Sequence, residues 1–407
     1  MDKLQLIFFF ITGFLVSRLF IKVQLPERMV FSLLGGRSNS FPKVIFYLIS
    51  ISALLSFFIP NVITVLTLLP ILELLRRAYA EAEEGSAIGS ISTILALATI
   101  YGANIGGMGS VTATPANGIL VTYTELNSVV GTSAITFAGW MSWGIPLVIL
   151  LVAAAWLVLM AIFRPWRYKN TELKLPFELE AISHPWQRLT VKIAVGYFIS
   201  SLFLSALIMK YPAYTLEIIV LTGVLTLAFA LFLFFYPLPL DSAKQPMLAI
   251  ADCYSNLPMR GFFFVGIAIV LAGLIYLSGL DKLFSAWISG NFPRELPIYL
   301  MFILLALMTS FATEILSNTA VQIGLFLIIL PLSAAMGFDA MSAMLIITLS
   351  STSAFMSPIA TGVNGLAFGG VKDVSITKML VSGFVMNSVG ALIISMWVIY
   401  VVSVFTG

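Results

Sequence analysis

The chain predicts an all-α polytopic membrane protein built from inverted repeats, with two re-entrant helical hairpins and two broken transmembrane helices. Three observations carry that expectation. The 407 residues are 60% hydrophobic and only 10% charged, with a mean hydropathy of +1.06, a composition that a water-exposed surface cannot carry. Apolar runs of the roughly 20 residues needed to cross a hydrocarbon core recur along the chain. One short polar signal also occurs twice. Pro60-Asn61-Val62 and Ser317-Asn318-Thr319 interrupt apolar runs, and about fifty residues after each stands Thr-x-x-Asn-Gly, as Thr114-Pro115-Ala116-Asn117-Gly118 and Thr361-Gly362-Val363-Asn364-Gly365.

Six full spans are expected, at 4–24, 135–163, 190–209, 213–235, 261–279 and 376–404. The first is followed by no small-residue cleavage site, so it reads as a retained span and not a signal peptide. Runs 43–58 and 61–77 are each about 16 residues, or about 24 Å as helix, short of a hydrocarbon core of about 30 Å. They read as the two arms of a re-entrant hairpin with Pro60-Asn61 at its tip. Runs 296–316 and 320–336 form a second hairpin that turns at Ser317-Asn318-Thr319. After each hairpin comes a helix that stops and restarts: 87–101 with 119–128, and 340–350 with 366–371. The stops hold Gly102-Ala103-Asn104-Ile105-Gly106-Gly107 and Ser350-Ser351-Thr352-Ser353.

The halves share one order of hairpin, broken helix and final span. This divides the chain into a scaffold span and linker (1–42), a first transport-domain repeat (43–163), a cytoplasmic loop with three scaffold spans (164–295) and a second transport-domain repeat (296–407). Eight crossings in total set the repeats in opposite orientations. With the N-terminus outside, all but Lys3, Lys210, Lys282 and Arg294 of the 21 Lys and Arg residues fall in inner segments, the direction that the positive-inside rule requires. The first hairpin then enters from the cytoplasm and the second from outside, and both tips reach the midplane.

Half-helices that begin at such tips aim free N–H groups and positive dipole ends at the centre, which favours an anion. Unwound carbonyls in 102–118 and 350–365, with Asn and Thr oxygens, offer the hard ligands that a desolvated alkali cation needs. A cation and an anion bound together suit symport by a secondary transporter. No acidic residue sits at either tip, so neutral oxygens fit sodium better than a proton relay, which would use Asp, Glu or His.

At these residues the chain resembles the divalent anion:sodium symporter family within the wider ion transporter superfamily. The match is densest in Thr313-Glu314-Ile315-Leu316-Ser317-Asn318-Thr319 and Ser357-Pro358-Ile359-Ala360-Thr361-Gly362-Val363-Asn364. The resemblance implies sodium-coupled symport of a dicarboxylate, citrate or sulfate by an elevator-type alternating access. It implies co-transported sodium ions and a small anionic substrate. It also implies a homodimer in the lipid bilayer of the cell inner (plasma) membrane, with no role for nucleic acid. By position, Thr313 and Asn318 with the carbonyl of Ala360 correspond to one sodium site, and Ser56 and Asn61 with the carbonyl of Ala113 to the other. Asn61, Thr114, Pro115, Asn318, Thr319, Thr361 and Gly362 correspond to the substrate site. The chain departs from the family where Pro60 and Val62 replace tip hydroxyls, and it reads as a reduced or truncated member, three scaffold spans short of the family's usual eleven. Residues 58–66 also resemble arsenite permeases and sodium/proton antiporters of the same superfamily.

Competing readings attach to several residues. A sodium/proton antiporter, an arsenite-type permease and a transport-inactive membrane scaffold are the alternatives to a symporter, and a midplane carboxylate would favour the antiporter. An intramembrane enzyme is excluded by the lack of a nucleophile with a base, paired carboxylates or metal ligands in the spans. Asn61 or Asn318 alone would read as a helix cap, and Thr114 and Thr361 as threonines that bond a carbonyl one turn back. Glu314, three residues before the tip at Ser317, is expected to have a structural role, to pair with a charge or to orient the loop. Glu217 is expected in the interface, His184 and the Glu81, Glu83, Glu84 run in solvated loops, and Cys253 as an inert apolar side chain. Gly106-Gly107-Met108-Gly109 lacks the lysine and preceding strand of a nucleotide loop. Trp140, Trp143, Trp156 and Trp166 fit packing and span ends.

Overall fold

The computed structural model describes residues 3–25, 28–29, 32, 40–82, 87–130, 135–167, 185–239, 244–254, 270, 274, 277–279 and 297–406. The expected span at 261–279 lies almost wholly outside the described residues. So do His184, Glu83, Glu84 and the segment 280–296.

The helices are α1 (Lys3–Lys22), α2 (Phe41–Phe58), α3 (Asn61–Ala82), α4 (Ala87–Gly106), α5 (Pro115–Leu126), α6 (Phe137–Phe163), α7 (Pro185–Lys210) and α8 (Thr215–Phe235). They continue as α9 (Ile298–Ala312), α10 (Asn318–Met336), α11 (Ala340–Thr352), α12 (Gly362–Gly370) and α13 (Ile376–Trp397). Polar punctuation sets their starts. Thr136 caps α6 through Gly139 N, Asp339 caps α11 through Met341 N and Ser342 N, and Ser375 caps α13 through Lys378 N. Among the described residues α2, α4, α6, α7, α8 and α13 are long and apolar enough to cross a membrane. Length alone therefore does not distinguish α2 and α4 from the expected full spans.

The helices are interrupted at both predicted tips. Ser56 Oγ lies 3.0 Å from Thr64 Oγ1, whereas eight residues of continuous helix would separate them by about 12 Å; extended Ile59 makes the bend. Between α9 and α10 the turn occupies residues 313–317.

The broken helices differ from expectation in where they stop. α4 continues to Gly106 and α5 starts at Pro115, so the open stretch is 107–114, not 102–118. Gly102 and Gly106 do not break the helix, because they are where α2 packs backbone to backbone on α4. A Cβ at Gly102 would lie 2.4 Å from the Ile49 carbonyl oxygen, and one at Gly106 2.1 Å from that of Ala53. Their spacing of four puts both on one helical face. In the second half α11 runs to Thr352 and α12 starts at Gly362. Ser351 and Thr352 stay helical by donating their hydroxyls to the carbonyls of Thr348 and Leu349, both at 2.8 Å.

α4 and α11 lie at the centre, and every residue from Met341 to Thr352 is buried. α2 lies along α4, and α9 lies against both α11 and α13. The halves also cross: α3 lies beside α12, and α10 beside α5. One hydrophobic cluster joins α2–α6 to α9–α13. A second joins α1 to α7 and α8, through Leu15, Val16, Leu19 and Phe20 against Ala194, Tyr197, Phe229 and Leu233. Ion pairs tie distant segments together: Lys22 pairs with Asp252 at 2.9 Å, and Arg76 with Asp373 at 3.3 Å.

Substituting Gly106→Ala forces α2 away from α4. Overpacking of this kind costs about 1–3 kcal/mol, so thermal unfolding of the purified variant in detergent should shift to lower temperature, while Gly324→Ala, with open space around it, should not shift.

Candidate functional site

Backbone that leaves a helix inside an apolar body needs partners for its carbonyls. Both open loops obtain them from the same residue at the same spacing. Asn117 Nδ2 donates to the carbonyls of Gly107 (2.9 Å) and Ser110 (2.8 Å), ten and seven residues back. Asn364 Nδ2 donates to those of Ala354 (3.1 Å) and Ser357 (2.8 Å), again ten and seven back. Both side chains are fully buried. Two carbonyl partners fix each amide's orientation, because only N–H groups can face them. Thr114 and Thr361 accept from Asn117 N (3.4 Å) and Asn364 N (3.1 Å), which makes them the N-caps of α5 and α12, with Pro115 in the first turn. The hydroxyl of Thr361 donates to Asn364 Oδ1 at 2.9 Å. In this arrangement Thr361 shapes the turn, and the first N–H groups of α12, Gly362 and Val363, have no acceptor within the helix. Ala113 and Ala360 stand just before the capping threonines, each with its N–H on the carbonyl of Ser110 (3.2 Å) or Ser357 (3.3 Å).

Asn61 and Asn318 open α3 and α10. In each, Oδ1 is buried without a hydrogen-bond partner among the described residues. Asn61 and Thr114 meet at Gly107, where a Cβ would lie 3.1 Å from both Asn61 amide atoms and 2.5 Å from Thr114 Cγ2. Ser56 and Thr313 are fully buried. Each donates its hydroxyl inside the protein, Ser56 to Thr64 Oγ1 (3.0 Å) and Thr313 to the Ser310 carbonyl (2.8 Å), which leaves only lone pairs for a ligand. Thr319, in the first turn of α10, is half-buried. Val62 at the first tip is the nearest side chain to Gly362, with Cγ2 3.6 Å from where a Cβ would sit, so the first tip adjoins the second loop.

Several contacts escaped the sequence reading. Gln322, one turn after Asn318 and fully buried, donates to the Ala116 carbonyl (2.8 Å) and to Thr348 Oγ1 (3.0 Å), tying α10 to the first loop. Asn104 Nδ2 reaches the Ala354 carbonyl at 2.8 Å and Asn364 Oδ1 at 3.4 Å, tying α4 to the second loop. Glu314, expected to pair with a charge or to orient the loop, accepts from the N–H groups of Phe355, Met356 and Ser357 and from Asn387. The available signal was a lone amide within an apolar run, which describes Gln322 and Asn387.

The description of one protein family, the sodium:sulfate symporter transmembrane region, matches residues 3–405. The chain belongs to that family. Its members are multi-pass plasma-membrane transporters, not enzymes. The chain is similar to the sodium-dependent dicarboxylate transporter SdcS of Staphylococcus saprophyticus, 24% identical over 412 residues, 98% of this chain and 76% of the relative. It is similar also to SdcS of Staphylococcus aureus strain NCTC 8325, 26% identical over 417 residues, 99% of this chain and 77% of the relative. The sodium:sulfate symporter match spans both loops and both tips, so the twofold Asn arrangement lies inside the family region.

Asn364→Ala removes the donor to the Ser357 carbonyl, a loss of about 1–3 kcal/mol for a buried group left unmet, and leaves the Ala354 carbonyl to Asn104 Nδ2 alone. Hydrogen exchange of amides 353–361 should accelerate well beyond that of α13, and Thr361→Ser, which keeps the capping oxygen, should leave it near wild type.

Proposed function

We propose that the chain carries out sodium-coupled symport of a small divalent anion of the dicarboxylate class. The observation that carries this reading is the pair of buried, unpartnered amide oxygens, Asn61 Oδ1 and Asn318 Oδ1, at matched starts of α3 and α10. An amide oxygen only accepts, so its complement is a cation or a donor. The sodium coordination sets are Ser56, Asn61 and the Ala113 carbonyl, and Thr313, Asn318 and the Ala360 carbonyl. The helix N-termini at Asn61, Pro115, Asn318 and Gly362, with Thr114, Thr319 and Thr361 shaping them, take the dianion. Membership of the sodium:sulfate symporter family and the names of the dicarboxylate relatives support both ligands.

In this reading sodium binds first and orders the tips, after which their N–H groups accept the dianion. The two halves act as inverted repeats with re-entrant hairpins. The body formed by α2–α6 and α9–α13 moves against α1, α7 and α8 to alternate access; α1, α7 and α8 share a hydrophobic cluster of their own, and Phe9 of α1 and Phe198 of α7 pack across onto that body. The saturation of Glu314 by four donors favours a symporter over a carboxylate-based antiporter.

The test is uptake of labelled succinate, citrate and sulfate by purified protein in tight liposomes, with an inward sodium gradient or with potassium in its place. Sodium-dependent uptake of succinate is expected, and uptake equal in potassium would overturn the coupling. Asn318→Ala should abolish uptake while the protein still folds and elutes as wild type. Val62→Thr, which adds a hydroxyl beside Gly362, should retain uptake or improve the apparent affinity.

A further inference from the structure

Glu314 is 1% exposed, and among the described residues it forms no ion pair. A buried, unpaired carboxylate persists only where donors replace its water. Here four do. Oε1 accepts from Phe355 N (2.7 Å), Met356 N (2.9 Å) and Asn387 Nδ2 (2.7 Å), and Oε2 from Ser357 N (2.6 Å). Asn387 on α13, fully buried, uses its other end as well, since Oδ1 accepts from Phe355 N at 3.1 Å. Three successive N–H groups turned to one point form a nest, which is an anion-binding shape; in this chain the protein's own carboxylate occupies it.

The first half has the same node without the charge. Phe57 stands four residues before Asn61, as Glu314 does before Asn318, and Trp140 stands 23 residues after Asn117, as Asn387 does after Asn364. Phe57 Cδ2 lies 2.7 Å from where a Cβ of Gly109 would sit, and Trp140 Nε1 donates to the Met108 carbonyl at 2.8 Å. Strut, loop and final helix meet in both halves, so the architecture itself does not require a carboxylate at this place.

We propose that Glu314 and Asn387 are positioning residues for the second sodium-and-substrate loop, an assignment that rests on the function proposed above. They hold residues 355–357 in register so that the Ala360 carbonyl and the N-terminus of α12 are presented to Asn318. By filling the nest, Glu314 also keeps the anionic substrate from those three N–H groups and leaves it the N–H groups of α12. Glu314→Gln puts an amide N–H against the Ser357 N–H and breaks the register. The paired exchange Glu314→Gln with Asn387→Asp returns a carboxylate to the node. Placed on α13, that carboxylate accepts from Phe355 N and from the new amide, whose oxygen turns to Ser357 N.

The experiment measures the sodium concentration for half-maximal thermal stabilisation of purified protein, with choline chloride as the control salt, and in parallel the sodium half-saturation and maximal rate of succinate uptake. Glu314→Gln should raise both half-saturation values about tenfold or more, the loss of one hydrogen bond to a charged group, with a smaller change in maximal rate. The paired exchange should recover most of that loss. A wild-type sodium response left unchanged in Glu314→Gln would overturn this assignment alone. Failure of both the single variant and the paired exchange to fold would overturn it too, by reducing the node to a structural strut. No sodium response in the wild type would overturn the proposed coupling, and this assignment with it.

Discussion

Everything at the centre of this protein depends on one requirement: backbone that leaves the helix inside an apolar body must still have its polar groups met. At the core of its answer is one asparagine per half. Asn117 and Asn364 each reach back seven and ten residues to bond two carbonyls, and a threonine three residues earlier caps the helix that follows. An amide with both donors engaged in this way sets the path of the loop between them. The loop then determines where Ala113 and Ala360 turn their carbonyls and where α5 and α12 begin.

Packing follows from that choice. Since the loops sit deep, the helices leading into them, α4 and α11, are buried along nearly their whole length. Their neighbours approach closely, which explains the contact of Gly102 and Gly106 with the α2 backbone and of Gly383 with the loop at Met356. The halves are joined by polar contacts as well as by shape, through Gln322 on Ala116 and Asn104 on Ala354. A shift in one loop is therefore felt by the helix pair of the other half, the physical continuity that coupled binding requires.

The two halves repeat a geometry but not a chemistry. Asn364 Oδ1 is met by Thr361 and Asn104, whereas Asn117 Oδ1 has no partner among the described residues. The second loop rests on Glu314 and Asn387, the first on Phe57 and Trp140. The first tip carries Pro60 and Val62 where the second carries Ser317 and Thr319. The second half is thus the more polar and more tightly hydrogen-bonded of the two.

The sequence by itself determined the membrane setting, the order of helices, the two tip interruptions and the residues that mark them, because apolar run length and the helix-breaking character of Asn, Pro and Gly act over a few neighbouring residues. It placed Asn61 and Asn318 at helix starts and Glu314 beside a loop, as the structure has them. It misread Gly102 and Gly106 as breaks, since whether a glycine ends a helix or admits a neighbouring backbone depends on what stands opposite, here residues about fifty positions away. It passed over Gln322 and Asn387 for the same reason, their partners being 206 and 73 residues distant. Only the tertiary structure decided which carbonyls are bonded, which amide oxygens are left unpartnered and which N–H groups the buried carboxylate takes. Those outcomes depend on distances between segments, to which a local pattern is blind.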